Sequence, residues 1–186
     1  MDFEEAQKLF PPRVVVLIST VDKDGNENVA PHCEFVKMYE ENRFLVAIEK
    51  THDTYKNIKE TNEFVVALPP IGIAESISIC GGSYDRGVSE FEKSNLTPIK
   101  GEKVSAPLVK ECLSNFECKL FKEIDYGGKC NLIIGEVIAS HCSKTNLSDE
   151  KTMRLDGEVA LHVSKGRVYT TITGNTIDTK IDYKEL

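Results

Sequence analysis

A dense set of hydrogen-bonding side chains occupies the stretch EKTHDTYKNIKET, residues 49–61, between two apolar runs. Its polar part contains Lys50, Thr51, His52, Asp53 and Thr54. The side-chain oxygen of Asp53 or Thr51 suits a helix N-cap, because it can accept an unpaired N–H of the first turn. A helix N-terminus also binds anions such as phosphate through its free N–H groups and its positive dipole end. A structural cap and an anion site therefore both stay open as interpretations.

Mostly strands are predicted around this segment. The β-branched run Pro12–Val21 followed by Asp24-Gly25 predicts a hairpin, because glycine tolerates the positive φ of a tight turn. The second arm is Asn28–Met38, and Pro31 within it has no N–H for a strand ladder. This strand is therefore either locally broken there, or its backbone serves something other than a neighbouring strand.

The remaining periodic segments complete the predicted framework. They are strands at Arg43–Glu49, Glu63–Pro70, Ser114–Ile124 and Lys129–Ser143, a short helix at Asp53–Thr61, and helical segments at Gly72–Gly82 and around Ser89–Lys93. Gly135 is predicted to mark a bulge or a close approach, and weaker short strands follow after residue 158. Many strands with few helices in one domain predict a β-barrel with helices appended.

Composition excludes several classes of function. The chain has 186 residues, 40% hydrophobic and 28% charged, which is ordinary for one soluble domain. Its net charge of −7 and the absence of a basic stripe argue against binding to nucleic acid or to an anionic membrane. No apolar run approaches the roughly 20 residues that span a bilayer, and the acidic N-terminus lacks signal-peptide features. The expected location is the cytoplasm.

The six cysteines are scattered, without a CxxC pair, and are expected to be reduced thiols. His32-Cys33 and His141-Cys142 are adjacent pairs, whereas structural zinc sites space their ligands two to four residues apart. No metal site is expected. Cys33 is interpreted as a small packed residue, because nothing in the sequence argues for a lowered pKa of its thiol.

The order of motifs along the chain resembles the flavin reductase-like family of FMN-binding split barrels. The elements that carry the resemblance are TVDKDGNENVAP at Thr20–Pro31, TYKNIKETNEFVV at Thr54–Val66, SYDRG at Ser83–Gly87 and GGKCNLIIGEV near residue 130. The resemblance covers residues 10–143, and residues 144–186 are expected to be the C-terminal part of the same single domain, 1–186. It implies a mainly β fold, a six-stranded antiparallel split barrel, that forms a homodimer with FMN near the subunit interface.

The resemblance also implies which residues bind the cofactor. The segment beside the isoalloxazine ring matches Asn28, Val29, Ala30, Pro31, His32 and Cys33. The phosphate and ribityl contacts match Glu49, Lys50, Thr51, His52, Thr54 and Asn57. The loop that closes over the cofactor matches Tyr84, Asp85 and Arg86. Each has a structural alternative: His52 as an exposed loop residue, Asn57 as a cap or surface residue, and Tyr84 as a surface aromatic.

Two functions follow as expectations from the resemblance. The first is an NAD(P)H-dependent oxidoreductase that passes electrons through FMN to free flavin, a ferric chelate or a protein partner, with no catalytic side chain assigned. The second is an FMN-bound electron-transfer protein of the flavoredoxin type without its own NAD(P)H activity. Lys129-Cys130 stands where many relatives carry Asp-His near the nicotinamide, which puts direct reduction by NADH or NADPH in question.

Overall fold

The computed structural model describes residues 2–6, 9–38, 41–142, 159–163 and 168–171. The strands are β1 (Arg13–Val14), β2 (Val16–Val21), β3 (Glu27–His32), β4 (Phe35–Lys37), β5 (Arg43–Glu49), β6 (Glu63–Leu68), β7 (Pro98–Ile99), β8 (Leu108–Val109), β9 (Ser114–Asp125), β10 (Cys130–Cys142), β11 (Leu161–Val163) and β12 (Val168–Thr170). The helices are α1 (Phe3–Ala6), α2 (Asp53–Thr61), α3 (Ala74–Cys80), which follows a 3₁₀ turn at Ile71–Ile73, and α4 (Glu90–Ser94).

Seven antiparallel strands form the main sheet in the order β3-β2-β6-β9-β10-β5-β4. The predicted strand Asn28–Met38 is divided into β3 and β4, which lie at opposite edges of this sheet. Only Cys33 and Glu34 separate them, and so short a link spans at most about 11 Å. The sheet must therefore curl until its two edges approach each other. The sheet has seven strands where six were predicted, because one predicted strand is divided into two. The division falls after His32 and not at Pro31.

Two hydrophobic clusters lie on the two sides of β2, which is buried along its whole length. Ile18, with Ile58 of α2 and Phe64 of β6, belongs to the cluster inside the curl. Leu17 packs in the other cluster with Ile77 of α3. This two-sided burial explains why β2 begins with a continuous apolar run at Val16–Ile18 rather than with an alternating pattern.

Two glycine predictions are confirmed. Gly25 has φ +87° in the turn between β2 and β3. At Gly135 the β9–β10 register shifts, and a Cβ there would overlap the ring of Phe64. The residue is thus both a bulge and a point of close approach.

The smaller sheets complete the described part of the chain. β1 pairs with β11, and β11 pairs with β12. Most of the predicted C-terminal part, residues 143–158, 164–167 and 172–186, lies outside the described residues. Within the described ranges, no helix has the length and apolar character needed to cross a membrane.

Candidate functional site

A cleft of about 460 Å³ opens where the edge strand β3, the N-terminus of α2 and the segment after α3 meet. Pockets of this size accommodate cofactor-sized ligands. The cleft is lined by Asn28, Ala30, Pro31, His32, Thr51, His52, Asp53, Thr54, Lys56, Cys80, Gly81, Gly82, Ser83, Tyr84, Asp85, Arg86 and Glu90.

β3 forms one wall of the cleft. It pairs only with β2 within the described sheet, with Pro31 opposite Leu17, so no described strand pairs with its other edge. An edge strand tolerates proline because the missing N–H leaves no ladder bond unmade. Of the two interpretations of Pro31, a strand that is broken at this residue is therefore wrong, because β3 continues through it. The edge of β3 that has no strand neighbour borders the cleft.

His32 ends β3 and is 8% exposed. Burial lowers the pKa of its imidazole to about 4, with a smaller contribution from His52. The ring is therefore neutral at pH 7. Its Nε2 is buried and has no hydrogen-bond partner among the described residues. An unsatisfied buried polar atom in the cleft wall is rare and indicates a missing partner, such as a ligand or a water.

Buried polar side chains tie the wall of the cleft to α2. Asn28 Oδ1 accepts hydrogen bonds from the hydroxyls of Thr20 at 3.2 Å and Thr54 at 3.1 Å. Asn57 donates to the Thr20 hydroxyl at 3.1 Å. The Thr54 hydroxyl proton is thus used inside the protein, and Asn57 lies behind the cleft rather than on it.

Glu90, the first residue of α4, completes this network and was not predicted. Its Oε2 accepts hydrogen bonds from Asn28 Nδ2 at 2.9 Å and from the Val29 amide at 3.2 Å. Burial raises the pKa of its carboxyl, although these hydrogen bonds oppose the rise. An acidic residue in a first helical turn is usually solvated, so the sequence carries no signal of this burial.

The start of α2 differs from its prediction. The N-cap residue is His52, and no side-chain hydrogen bond caps the helix. The prediction that Asp53 or Thr51 caps it is therefore wrong. Thr51 instead donates its hydroxyl to Glu49 at 2.9 Å. The helix keeps its predicted bounds because Ile58 and the Asn57 amide hold it against the sheet.

Asp53 is instead the counter-ion of two cations that line the cleft. Its Oδ1 lies 2.9 Å from Lys56 Nζ and 3.3 Å from Arg86 Nη1. Arg86 also reaches Glu60 at 3.1 Å. Lys50, the cation predicted beside the anion site, pairs with Asp125 at 2.9 Å and does not line the cleft.

The segment after α3 closes the third side. A Cβ at Gly81 would lie 3.2 Å from Pro31 Cγ, and one at Gly82 would lie 2.8 Å from the ring of Tyr84. Both positions therefore favour glycine, which lets the segment approach β3 closely. The Tyr84 hydroxyl donates to the Ile79 carbonyl at 2.9 Å, which fixes its ring above Gly82.

Ten of the fifteen predicted site residues line this one cleft. They are Asn28, Ala30, Pro31, His32, Thr51, His52, Thr54, Tyr84, Asp85 and Arg86. The other five lie elsewhere: Val29 in the core, Cys33 on a separate shallow groove, Glu49 and Lys50 at the end of β5, and Asn57 behind the cleft. The lining residues outside the predicted cofactor-binding set are Asp53, Lys56, Cys80, Gly81, Gly82, Ser83 and Glu90.

The cysteines make no disulfide, and all six are described. Burial raises the pKa of the Cys80 thiol, at the cleft, to about 11. Burial also raises the pKa of Cys33. Both thiols are therefore protonated near neutral pH, which fits the interpretation of Cys33 as a packed residue.

The curled antiparallel sheet defines a split barrel, and comparison with known proteins identifies the family. The family model for the flavin reductase like domain matches residues 10–167. The chain therefore belongs to the flavin reductase-like domain family, and the predicted fold class is confirmed. A protein of Aquifex aeolicus is 31% identical over 172 residues, covering 89% of this chain and 87% of that protein. One of Archaeoglobus fulgidus is 30% identical, covering 88% and 89%.

Solved structures share the whole architecture. Nitrilotriacetate monooxygenase component B from Bacillus cereus has a TM-score of 0.83 at 27% identity, over 96% of this chain and 94% of that one. The 2-nitrobenzoate 2-nitroreductase NbaA of Pseudomonas fluorescens has a TM-score of 0.80 at 25% identity, over 98% and 95%. Flavoredoxin of Desulfovibrio vulgaris (Miyazaki F) has the same fold, with a TM-score of 0.80 at 22% identity, over 92% and 93%. Family membership makes this a flavin-type redox protein.

Proposed function

We propose that this protein is an FMN-binding oxidoreductase that passes electrons from NADH or NADPH through FMN to an acceptor. The observation that carries the proposal is the cleft between β3, α2 and residues 81–86. Its volume of about 460 Å³ suits a flavin nucleotide, and its wall contains the unsatisfied Nε2 of His32. The same cleft lies in a chain of the flavin reductase-like family.

The residues present fit FMN at both ends. At the phosphate end, α2 offers the free N–H groups of its first turn, and Lys56 and Arg86 line the same side of the cleft. At the ring end, Ala30 and Pro31 of β3 line the cleft together with Gly81 and Gly82. The two glycines carry no side chain, so a flat ring in the cleft can approach their backbone closely.

When bound, FMN would supply the redox chemistry, accepting a hydride and releasing electrons to a second acceptor. The chain's own residues bind and orient it. Hydride transfer requires no protein acid or base, so no side chain is assigned a catalytic role. Asn28 and Glu90 hold β3 in position relative to α2 and α4, and the neutral His32 offers one hydrogen bond inside the cleft.

The acceptor is proposed by class: free flavin, a ferric chelate or a protein partner. Support for a diffusing or protein acceptor comes from the 27% identity to nitrilotriacetate monooxygenase component B, whose name makes it one component of an oxygenase. The similarity to a nitroreductase at 25% identity supports reductive chemistry more generally.

A second candidate is an FMN-bound electron carrier without its own NAD(P)H activity. The specific observation is Lys129-Cys130, where many relatives carry Asp-His. These residues lie where β10 begins, with Cys130 paired to Glu49, and neither lines the cleft. A nicotinamide in this cleft would therefore receive no contact from the position that is often used for it.

A homodimer is proposed as the assembly. Its support on this chain is the exposure of several apolar side chains on strands: Val14 on β1, Val36 on β4, Phe121 and Ile124 on β9, and Ile138 on β10. Exposed apolar surface of this kind is what a protein interface covers. Light scattering coupled to size-exclusion chromatography tests this, and a monomer at all concentrations would contradict it.

The first experiment asks whether the protein takes up FMN. Purified protein should be yellow, should show flavin absorption bands, and should release FMN on heating. A colourless preparation that does not bind added FMN would remove both candidates. Anaerobic mixing with NADH and with NADPH then separates them: bleaching at a catalytic rate supports the reductase, and no bleaching supports the carrier.

A further inference from the structure

The phosphate end of the cleft has an unusual property: its side-chain donors are already paired within the chain. Lys56 and Arg86 both contact Asp53, at 2.9 and 3.3 Å. The Thr51 hydroxyl donates to Glu49, and the Thr54 hydroxyl donates to Asn28. Both hydroxyl protons are therefore already used, and the remaining N–H donors of Lys56 and Arg86 lie beside the Asp53 carboxylate.

The charges at this end also cancel. Lys56 and Arg86 bring two positive charges, and their partners Asp53 and Glu60 bring two negative ones. Asp53 lies in the first turn of α2, so its carboxylate already interacts with the positive end of the helix dipole. Its side chain is 24% exposed, so solvent screens it only in part. A phosphomonoester, with a charge of roughly −1.5 to −2 at pH 7, makes this end net negative.

We propose that Asp53 sets the affinity of the cleft for phosphorylated flavin, and keeps it low enough for FMN to exchange as a diffusible substrate. The inference rests on the proposed function and deepens it, since it favours a reductase that releases flavin over a carrier with a permanently held cofactor. Asp53 opposes the phosphate twice: it repels the anion directly, and it holds the two cations that would otherwise bind it.

The competing role for Asp53 is to position the same cations for the phosphate. The two roles predict opposite effects of removing its charge. In the first role, Asp53→Asn frees Lys56 and Arg86 and strengthens FMN binding; in the second, it lets both side chains move away and weakens binding. Riboflavin lacks the phosphate and should respond to neither change.

The experiment measures dissociation constants of FMN and riboflavin by quenching of flavin fluorescence, for the wild type and for Asp53→Asn. Removing one charge several ångströms from a phosphate, in a dielectric between the roughly 20 of a protein surface and the roughly 80 of water, should tighten FMN binding about tenfold. Riboflavin affinity should stay within about twofold. The FMN gain should shrink as salt is raised, because salt screens the repulsion. On a desalting column the wild type should lose a larger fraction of its FMN than Asp53→Asn does.

Two further variants secure the interpretation. Asp85→Asn makes the same charge change in the same cleft, and no ion pair of Asp85 is found among the described residues. It should tighten FMN binding clearly less than Asp53→Asn. Glu60→Gln frees one side of Arg86 from outside the cleft, and should tighten FMN binding without changing riboflavin binding, even if Asp53→Asn fails to fold.

Unchanged or weaker FMN binding in Asp53→Asn would overturn the proposal. The proposal would also be overturned if Asp53→Asn tightened riboflavin binding as much as FMN binding, because the effect would then not depend on the phosphate. It would be overturned too if Asp85→Asn tightened FMN binding as much, because the effect would then not depend on the ion pairs of Asp53. If the wild type binds neither FMN nor riboflavin, the proposed function itself fails, and that result is distinct from all the others.

Discussion

Glu117 on β9 makes a buried carboxylate site whose loss should be costly. The residue is 0% exposed. Its Oε2 accepts hydrogen bonds from the amides of Lys103 at 2.6 Å and Val104 at 2.8 Å. Its Oε1 accepts from the Glu102 amide at 3.1 Å and lies 2.6 Å from His141 Nε2. One carboxylate thereby fixes the loop that precedes β8 and joins it to β10.

Replacing Glu117 with Gln keeps the volume but turns one oxygen into an NH₂ group. The less costly orientation puts the NH₂ group at Oε1, where the Glu102 amide loses its acceptor while a neutral His141 can accept from the new NH₂. An unsatisfied buried donor costs about 1–3 kcal/mol, so the free energy of unfolding should fall by about 1–3 kcal/mol. For a chain of this length that corresponds to a drop in Tm of about 2–12 °C.

The assay is urea denaturation followed by circular dichroism, since the chain contains no tryptophan for fluorescence. Glu136→Gln is the matched control, because Glu136 is exposed on the neighbouring strand and should change stability by less than about 0.5 kcal/mol. FMN binding should be unaffected, since Glu117 does not line the cleft. A loss below about 1 kcal/mol would show that the network contributes little and would refute the reasoning.

The same variant has a defined pH dependence. Burial alone would raise the pKa of Glu117, but the hydrogen bonds from Lys103, His141 and Val104 outweigh it and hold the pKa below its usual value of 4.5. A carboxyl with a lowered folded-state pKa stabilises the protein above its unfolded pKa and loses that contribution as the pH falls. The difference between wild type and variant should therefore be full above pH 4.5 and shrink below it.

Three further predictions concern the fold and the cleft. Gly135→Ala should destabilise the protein by about 2–3 kcal/mol in urea denaturation, because its Cβ would overlap the buried ring of Phe64, whereas Gly72→Ala, with open space around it, should be neutral. Between pH 6.5 and 4 the wild type should lose about 3 kcal/mol of stability that His32→Gln keeps, because a histidine that is buried and neutral, with a pKa near 4, takes up its proton more readily in the unfolded chain. Parallel pH–stability curves of the two proteins would contradict this. Asn28→Ala should weaken FMN binding at least about tenfold by fluorescence titration, because three hydrogen bonds that hold the cleft wall are lost; unchanged affinity would remove Asn28 from the site.

Local patterns predicted much of the secondary structure. The bounds of α2 and of β5 agree with their predictions, because the apolar positions of each contact one core and polar residues mark both ends. The hairpin at Gly25 and the bulge at Gly135 were also predictable, since each depends on the absence of a side chain at one position. The extra strand was not predicted: the bend at Cys33 carries no proline or glycine signal.

The residues of the cleft were predicted only in part, and the wrong predictions share one cause. Lys50 was predicted as the cation of the anion site, but it pairs with Asp125 at the end of β9, and Lys56 lines the cleft instead. Glu90 and Asn28 lie 62 residues apart, and no local pattern shows that they bond. Partners that come from distant strands cannot be inferred from the neighbours of a residue.

By itself, the sequence determined the class of this protein: mainly β strands, a polar strand-to-helix junction, and the ordered motifs of the flavin reductase-like family. These depend on residue types and on spacing, which a single chain carries directly. The tertiary structure alone decided which polar groups are free to bind. Asp53, predicted as a cap, became the counter-ion of Lys56 and Arg86, because folding brought Arg86 from 33 residues away to the start of α2. Two charges pair only when they are close in space, and residues that are far apart in the sequence come close only when the chain folds.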